Sequence, residues 1–135
     1  MNIRAKESGF TVVELLIVII VIGILAVLAL NALGTSQARA RDAERITDVR
    51  ALHKALEAYY TTNSNYPHQD NLDASIFDGL NPESLSDPFG YEINATDSTY
   101  TYATTGCSGT SYCTGYTITA DLERDEDAYT VDSIN

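Results

Sequence analysis

The run Phe10-Thr11-Val12-Val13-Glu14-Leu15-Leu16-Ile17-Val18-Ile19-Ile20, continued to Leu30, holds twenty-one residues and a single charge, Glu14. As a helix rising about 1.5 Å per residue it spans roughly 31 Å, which matches a hydrocarbon core of about 30 Å. It is too apolar for an ordinary soluble core, so the chain must build its folded domain from the residues beyond it. Removing the first thirty-four of 135 residues leaves about a hundred. That is enough for a modest core, and marginal without a staple. Ahead of the run, residues 1–9 are short and polar and carry Arg4 and Lys6. A basic leader of this kind stays on the cytoplasmic side and sends the remainder outward.

Glu14 is the informative residue within the span. A carboxylate in a membrane helix costs on the order of 2.5–3.5 kcal/mol at the centre and less near an end, which calls for a partner. If the chain is cut after Gly9, Phe10 gains a free amine, and Glu14 lies one helical turn further on the same face. Pairing within one chain needs no neighbour. Pairing with the amine of an adjacent copy makes assembly the step that neutralises both charges and sets the axial register.

The segment Gly9-Phe10-Thr11-Val12-Val13-Glu14-Leu15, followed by Ile17-Val18-Ile19-Ile20-Val21-Ile22-Gly23-Ile24-Leu25-Ala26, resembles the cleavage site and N-terminal helix of type IV pilins and type II secretion pseudopilins. The resemblance implies a prepilin peptidase that cuts after Gly9, methylation of the new N-terminal Phe10, and Glu14 as the assembly residue. It covers residues 1–34, and the proline many members carry near Asn31 is missing here. Three plainer readings stand beside it. One is a secretory signal cut after Ala40, where Ala38-Arg39-Ala40 has the small-x-small pattern, although the apolar run exceeds the usual 7–15 residues of such a core. Another is a simple single-span anchor in which Gly9 has no role. The last is an inverted topology suggested by Arg39, Arg41, Arg45 and Arg50, which Asp42, Glu44 and Asp48 accompany.

Beyond the span, Ile46, Val49, Leu52, Leu56 and Tyr59 recur at helical steps, with Arg39, Arg41, Arg45, Arg50 and Lys54 mostly off that stripe. No proline intervenes, so the simplest structure is one helix from Phe10 to near Thr62, roughly 80 Å long at about 1.5 Å per residue. Its outer half needs a sheet to cover the stripe. Polar turn formers and Pro67 end the helix, and residues 63–89 read as a loop in which Ile76-Phe77 and Leu80 tuck against the core. After Gly90 the pattern turns to period two: Tyr91 and Ile93, Tyr100 and Tyr102, Tyr116 through Leu122, then Tyr129 and Val131. The fold expected is α+β and pilin-like, one long helix whose outer half packs on three to four antiparallel strands. Its parts are a leader over 1–9, a filament-core helix over 10–34 and an extracellular domain over 35–135, the last divided into a helix over 35–62, a loop over 63–89 and a sheet over 90–132.

Cys107 and Cys113 flank five residues between two expected strands. In an exported chain a disulfide there clamps the hairpin loop, worth roughly 2–2.5 kcal/mol for so short a closure. A two-thiolate metal site would lack two further ligands nearby, and free thiols are the remaining alternative. The acidic run Asp121-Leu122-Glu123-Arg124-Asp125-Glu126-Asp127 suggests calcium, whose hard oxygen ligands such a turn can supply, or else a solvated turn. Major pseudopilins bind calcium in a C-terminal loop, but these residues do not align with their ligands position by position, so the resemblance carries none of them over. Residues 55–135 hold fourteen carboxylates against the single basic residue Arg124, a net of −13. That surface repels phosphate backbones, so no direct nucleic-acid contact is expected. Neither His53 nor His68 accompanies a nucleophile or metal spacing, and no phosphate-binding glycine pattern occurs, so no enzymatic activity is expected.

The sequence thus points to a structural subunit of a type IV pilus or related filament. It would be a single-pass precursor in the inner or cytoplasmic membrane with its C-terminal domain outside, and then part of an extracellular homo-oligomeric helical filament, served by the peptidase and the assembly machinery. A secretion pseudopilin or minor pilin is the alternative within that class. A monomeric membrane-anchored binding module is the alternative outside it.

Overall fold

The computed structural model describes residues 9–125 and 127–135; the leader residues Arg4 and Lys6 and the acidic Glu126 lie outside them. The dominant element is helix α1, Val12–Asn63. It runs through Asn31, Gly34 and the Thr35-Ser36 pair without interruption, because no proline removes a backbone donor along its length. Contacts divide the chain into two units, Met1–Gln37 and Ala38–Asn135.

In the first unit α1 buries none of its described side chains. Its most apolar stretch has a mean hydropathy of 3.2 and none of it is covered by the rest of the protein. Val12, Val13, Ile17, Leu25 and Ile22, which point around the helix, are all more than half exposed. A helix at the centre of a soluble domain would be covered, so this one is long and apolar enough to cross a membrane and presents apolar side chains in every direction.

In the second unit the remaining turns of α1 pack on a three-stranded antiparallel sheet, β1 (Tyr100–Thr105), β2 (Gly115–Ala120) and β3 (Tyr129–Asp132), in the order β1-β2-β3. Tyr102 stands opposite Ile118, which stands opposite Val131. Alternation puts Tyr100 and Tyr102 of β1 and Tyr116, Ile118 and Ala120 of β2 against Val49, Leu52 and Leu56 of α1. Tyr129 and Val131 of β3 close the side, half-buried. The α+β fold and the packing of helix on sheet follow the hydrophobic pattern, with strands numbering three.

Four fully buried tyrosines dominate this core, and each carries its hydroxyl to a partner at the rim. Tyr100 donates to Asp48 Oδ2 at 2.9 Å, Tyr102 to the carbonyl of Pro67 at 2.8 Å, and Tyr116 and Tyr66 to Glu57 at 2.7 and 3.1 Å. Tyr66 and Tyr116 meet edge to face, with ring centres 4.7 Å apart. Aromatic bodies fill the interior while their polar tips avoid an unsatisfied burial. Among the described residues no buried side-chain oxygen or nitrogen lacks a hydrogen bond.

Three short 3-10 turns, Gln69–Asn71, Ala74–Ile76 and Pro82–Leu85, break the loop after α1. Phe77 tucks against Tyr59, ring centres 5.9 Å apart, while Ile76 stays exposed. Tyr91 and Ile93 do not form a strand as their alternation suggests. Asp87 competes for this backbone: its carboxylate accepts the N–H groups of Phe89 and Tyr91 at 3.0 Å and of Thr99 at 3.1 Å, winding the segment into a turn. Asn94, with φ of 66°, then lays its side-chain amide along the outer edge of β1. It donates to the Tyr102 carbonyl at 3.1 Å and accepts the Tyr102 N–H at 2.8 Å, while its own N–H reaches the Tyr100 carbonyl at 3.1 Å.

Candidate functional site

Two groups of polar residues carry chemistry, and each belongs to one unit. The first is at the start of α1. Thr11 is its N-cap, and Glu14 stands three residues inside. The Glu14 carboxylate accepts from the Thr11 N–H at 3.2 Å and from the Thr11 hydroxyl at 3.0 Å, while the Thr11 hydroxyl oxygen accepts the Glu14 N–H at 3.2 Å. This is a reciprocal capping box, which satisfies helix-end donors and places a negative charge at the positive end of the helix dipole. Thr11 was not singled out from the sequence; the Thr-x-x-Glu spacing ahead of an apolar run is the signal that finds it. In the uncut chain the nitrogen of Phe10 is a peptide nitrogen, and the carboxylate rests on Thr11. Phe10 itself is 77% exposed, and a side chain built at Gly9 would meet none of the described residues within 4 Å.

The second group is on the Ala38–Asn135 unit. Arg45, expected away from the apolar stripe, is fully buried in line with it, and Asp42 is buried one turn earlier. The stripe facing the core is therefore Asp42, Arg45, Val49, Leu52 and Leu56, at steps of three and four, and Ile46 lies half-buried at its margin. Burial of a guanidinium is tolerated because every arm has an acceptor. Nη1 donates to Asp42 Oδ1 at 2.8 Å, Nη2 to Glu123 Oε1 at 2.8 Å and Nε to the Thr99 hydroxyl at 3.3 Å. Arg41 makes a two-pronged pair with the same Glu123, its Nε lying 2.7 Å from Oε1. The Glu123 N–H donates to Asp42 Oδ1 at 2.8 Å, and the Phe89 ring lies 5.5 Å from both guanidinium carbons.

The electrostatics follow from these contacts. The Arg41 hydrogen bond acts most strongly on Glu123; burial opposes it, Arg45 adds to it, and the carboxyl is pulled down to about 2. At Asp87 burial pushes upward, yet the N–H groups of Thr99, Tyr91 and Phe89 and the Thr99 hydroxyl outweigh it and hold the carboxyl below its ordinary range. Asp48 goes the other way, because burial outweighs the Tyr100 hydrogen bond.

These contacts bear on calcium. Among the described residues no group of three or more carboxylate, imidazole or thiol side chains is arranged to hold a metal ion. Glu123 faces two permanently charged guanidinium groups, an environment that suits an anion and repels a dication. Asp121, Asp125 and Asp127 are exposed. The described residues of this turn do not fit a calcium site.

The remaining candidates are structural. Cys107 and Cys113 form a disulfide, and buried Cys113 exchanges both backbone hydrogen bonds with Tyr66, tying the β1–β2 loop to the segment just after α1. His53 Nδ1 lies 2.7 Å from the Tyr116 hydroxyl, and the His68 side chain accepts from the Asp70 N–H at 3.3 Å.

Residues 4–30 match the family described as the prokaryotic N-terminal methylation motif. The chain is 34% identical over 79 residues to the type II secretion system core protein G of Vibrio cholerae, covering 58% of this chain and 54% of that protein. It is 33% identical to the protein of the same name from Aeromonas hydrophila, covering 65% of this chain and 60% of that one. To the type IV major pilin of Myxococcus xanthus it is 32% identical over 90 residues, covering 67% of this chain and 38% of that protein. The chain thus spans about half the length of the curated relatives it matches. No solved structure matches. With its methylation motif at the head of an uncovered apolar helix and an α+β domain behind it, the chain carries the N-terminal methylation motif and is similar to pilins and pseudopilins.

Proposed function

We propose that the chain is a structural subunit of a type IV pilus or related filament, cleaved between Gly9 and Phe10, methylated at Phe10 and assembled through the apolar part of α1. The observation that carries this reading is the apolar helix that its own protein leaves uncovered, headed by one carboxylate inside the methylation motif. Apolar side chains on all sides of one helix are satisfied first by lipid and then by copies of the same helix, so polymerisation exchanges one apolar environment for another. Cleavage frees an ammonium on Phe10, and the Glu14 carboxylate of an adjacent copy neutralises it. Open space around Gly9 supports a requirement for glycine set by an outside contact such as the peptidase. The precursor spans the inner or cytoplasmic membrane with residues 35–135 outside, and the assembled form is extracellular.

A second reading, a pseudopilin in a secretion filament, is supported by the relatives named as core protein G. It uses the same cut, the same methylation and the same helix.

Mass spectrometry of the mature protein and imaging of filaments test the proposal together. The N-terminus is methylated Phe10, and a Glu14→Ala variant is cut normally but absent from filaments. An intact Met1, a start at Arg41, or normal filaments from Glu14→Ala would refute it.

A further inference from the structure

We infer that the β2–β3 turn is held on α1 by a pair of arginines in the role a bound calcium ion would play, so that the domain is calcium-independent. This rests only on contacts within Ala38–Asn135 and stands whether or not the chain polymerises. A cation at an acidic turn does two things: it neutralises carboxylates that would repel one another, and it ties the turn to a distant element. For Glu123 and Asp42 both are already done here by side chains. Arg41 and Arg45 face Asp42 and Glu123, two positive charges against two negative, so the cluster is neutral without an ion. The tie reaches the backbone as well, since the Glu123 N–H donates to Asp42 and the Asp121 N–H to the Thr99 carbonyl at 2.9 Å.

The surroundings hold the arrangement in place. Arg45 is fixed by three acceptors and complete burial. Phe89 lies across both guanidinium groups, a placement that favours their planar, delocalised charge. Thr99 joins the cluster to Asp87, because its hydroxyl accepts from Arg45 and donates to the Asp87 carboxylate at 3.1 Å. A dication drawn to Glu123 would have to approach two fixed positive charges, and Glu123 would give up hydrogen bonds from Arg41 and Arg45. The residues that bring this about are the Arg-Asp-x-x-Arg pattern at 41–45 and the Phe89 of the turn before Thr99.

Arg124 supplies a local readout, being the only trypsin site after Lys54. The full chain in detergent is melted and digested with trypsin in EDTA and in about 5 mM calcium, a concentration at which an extracellular calcium site of ordinary affinity would raise Tm by several degrees. The expected result is a Tm equal within about 1 °C in the two conditions, and release of residues 125–135 at the same rate. Glu123→Gln and Arg41→Met each speed that release several-fold, equally with and without calcium. A calcium-dependent rise in Tm, calcium protection of Arg124 in the wild type, or unchanged cleavage in both variants would overturn the inference.

Discussion

Glu57 Oε1 accepts the phenolic hydrogen of Tyr116 at 2.7 Å. That bond uses the only hydrogen the phenol has, so His53, whose Nδ1 lies 2.7 Å from the same oxygen, carries its proton on Nδ1 and donates. Burial is the largest cause that pushes Tyr116, Tyr100, Tyr102 and Tyr66 above the ordinary phenol value of 10.0, and nearby carboxylates add to it at all but Tyr102. The folded state favours the neutral phenols. Their contribution to stability is complete below pH about 10 and is lost as pH rises above it, because the unfolded chain ionises first. In an alkaline titration followed by phenolate absorbance and circular dichroism, these four tyrosines ionise only together with unfolding.

The acid limit has the opposite sign. Glu123 is held near 2 and Asp87 below its ordinary range, so both stabilise the fold above the usual carboxylate range and lose that contribution as pH falls through their folded values. Denaturant midpoints measured from pH 7 down to pH 3 fall for the wild type. Glu123→Gln starts lower at pH 7 and falls less steeply.

Arg45→Ala leaves Asp42 buried without its ion-pair partner. Removing one member of a buried pair costs about 3–5 kcal/mol, so urea denaturation places this variant well below Arg50→Ala, whose guanidinium is on the exposed side of α1 and meets the hydroxyl and ring of Tyr129.

Reduction of the Cys107–Cys113 disulfide removes a short loop constraint worth roughly 2–2.5 kcal/mol. Cys107→Ser and Cys113→Ser both lose it, but Cys113 is buried beside Tyr66 whereas Cys107 is exposed. Thermal melts therefore rank Cys113→Ser below Cys107→Ser, with reduced wild type close to the latter.

At the head of α1, Thr11→Ala removes the hydroxyl that both gives to and receives from Glu14, whereas Thr11→Ser keeps it. Loss of an N-cap costs about 1 kcal/mol. Filament yield, normalised to processed subunit, falls for Thr11→Ala and stays near wild type for Thr11→Ser.

The features legible in the sequence were those with a period. Val49, Leu52 and Leu56 announced the helix face, and Tyr100, Tyr102, Tyr116 and Ile118 announced two strands, because burial selects residues at fixed spacings. Arg45 escaped because its burial depends on acceptors at Glu123 and Thr99, more than fifty residues away in the chain. Tyr91 and Ile93 misled because alternation carries no information about a competing acceptor, and Asp87 draws that backbone into a turn. Glu14 stood out as a lone charge, but its partner Thr11 did not, since a threonine in an apolar run draws no notice until its spacing to a glutamate is read as a cap.

The amide of Asn94 occupies the hydrogen-bonding groups of Tyr102 that point away from the sheet, while its own N–H and the Ser98 hydroxyl take those of Tyr100. A strand from any other molecule would find that rail already taken. This domain can be crowded at high local concentration without fusing into a common β-structure through Tyr100 and Tyr102, and the protection comes from Asn94, in a left-handed turn, together with the Ser98 hydroxyl.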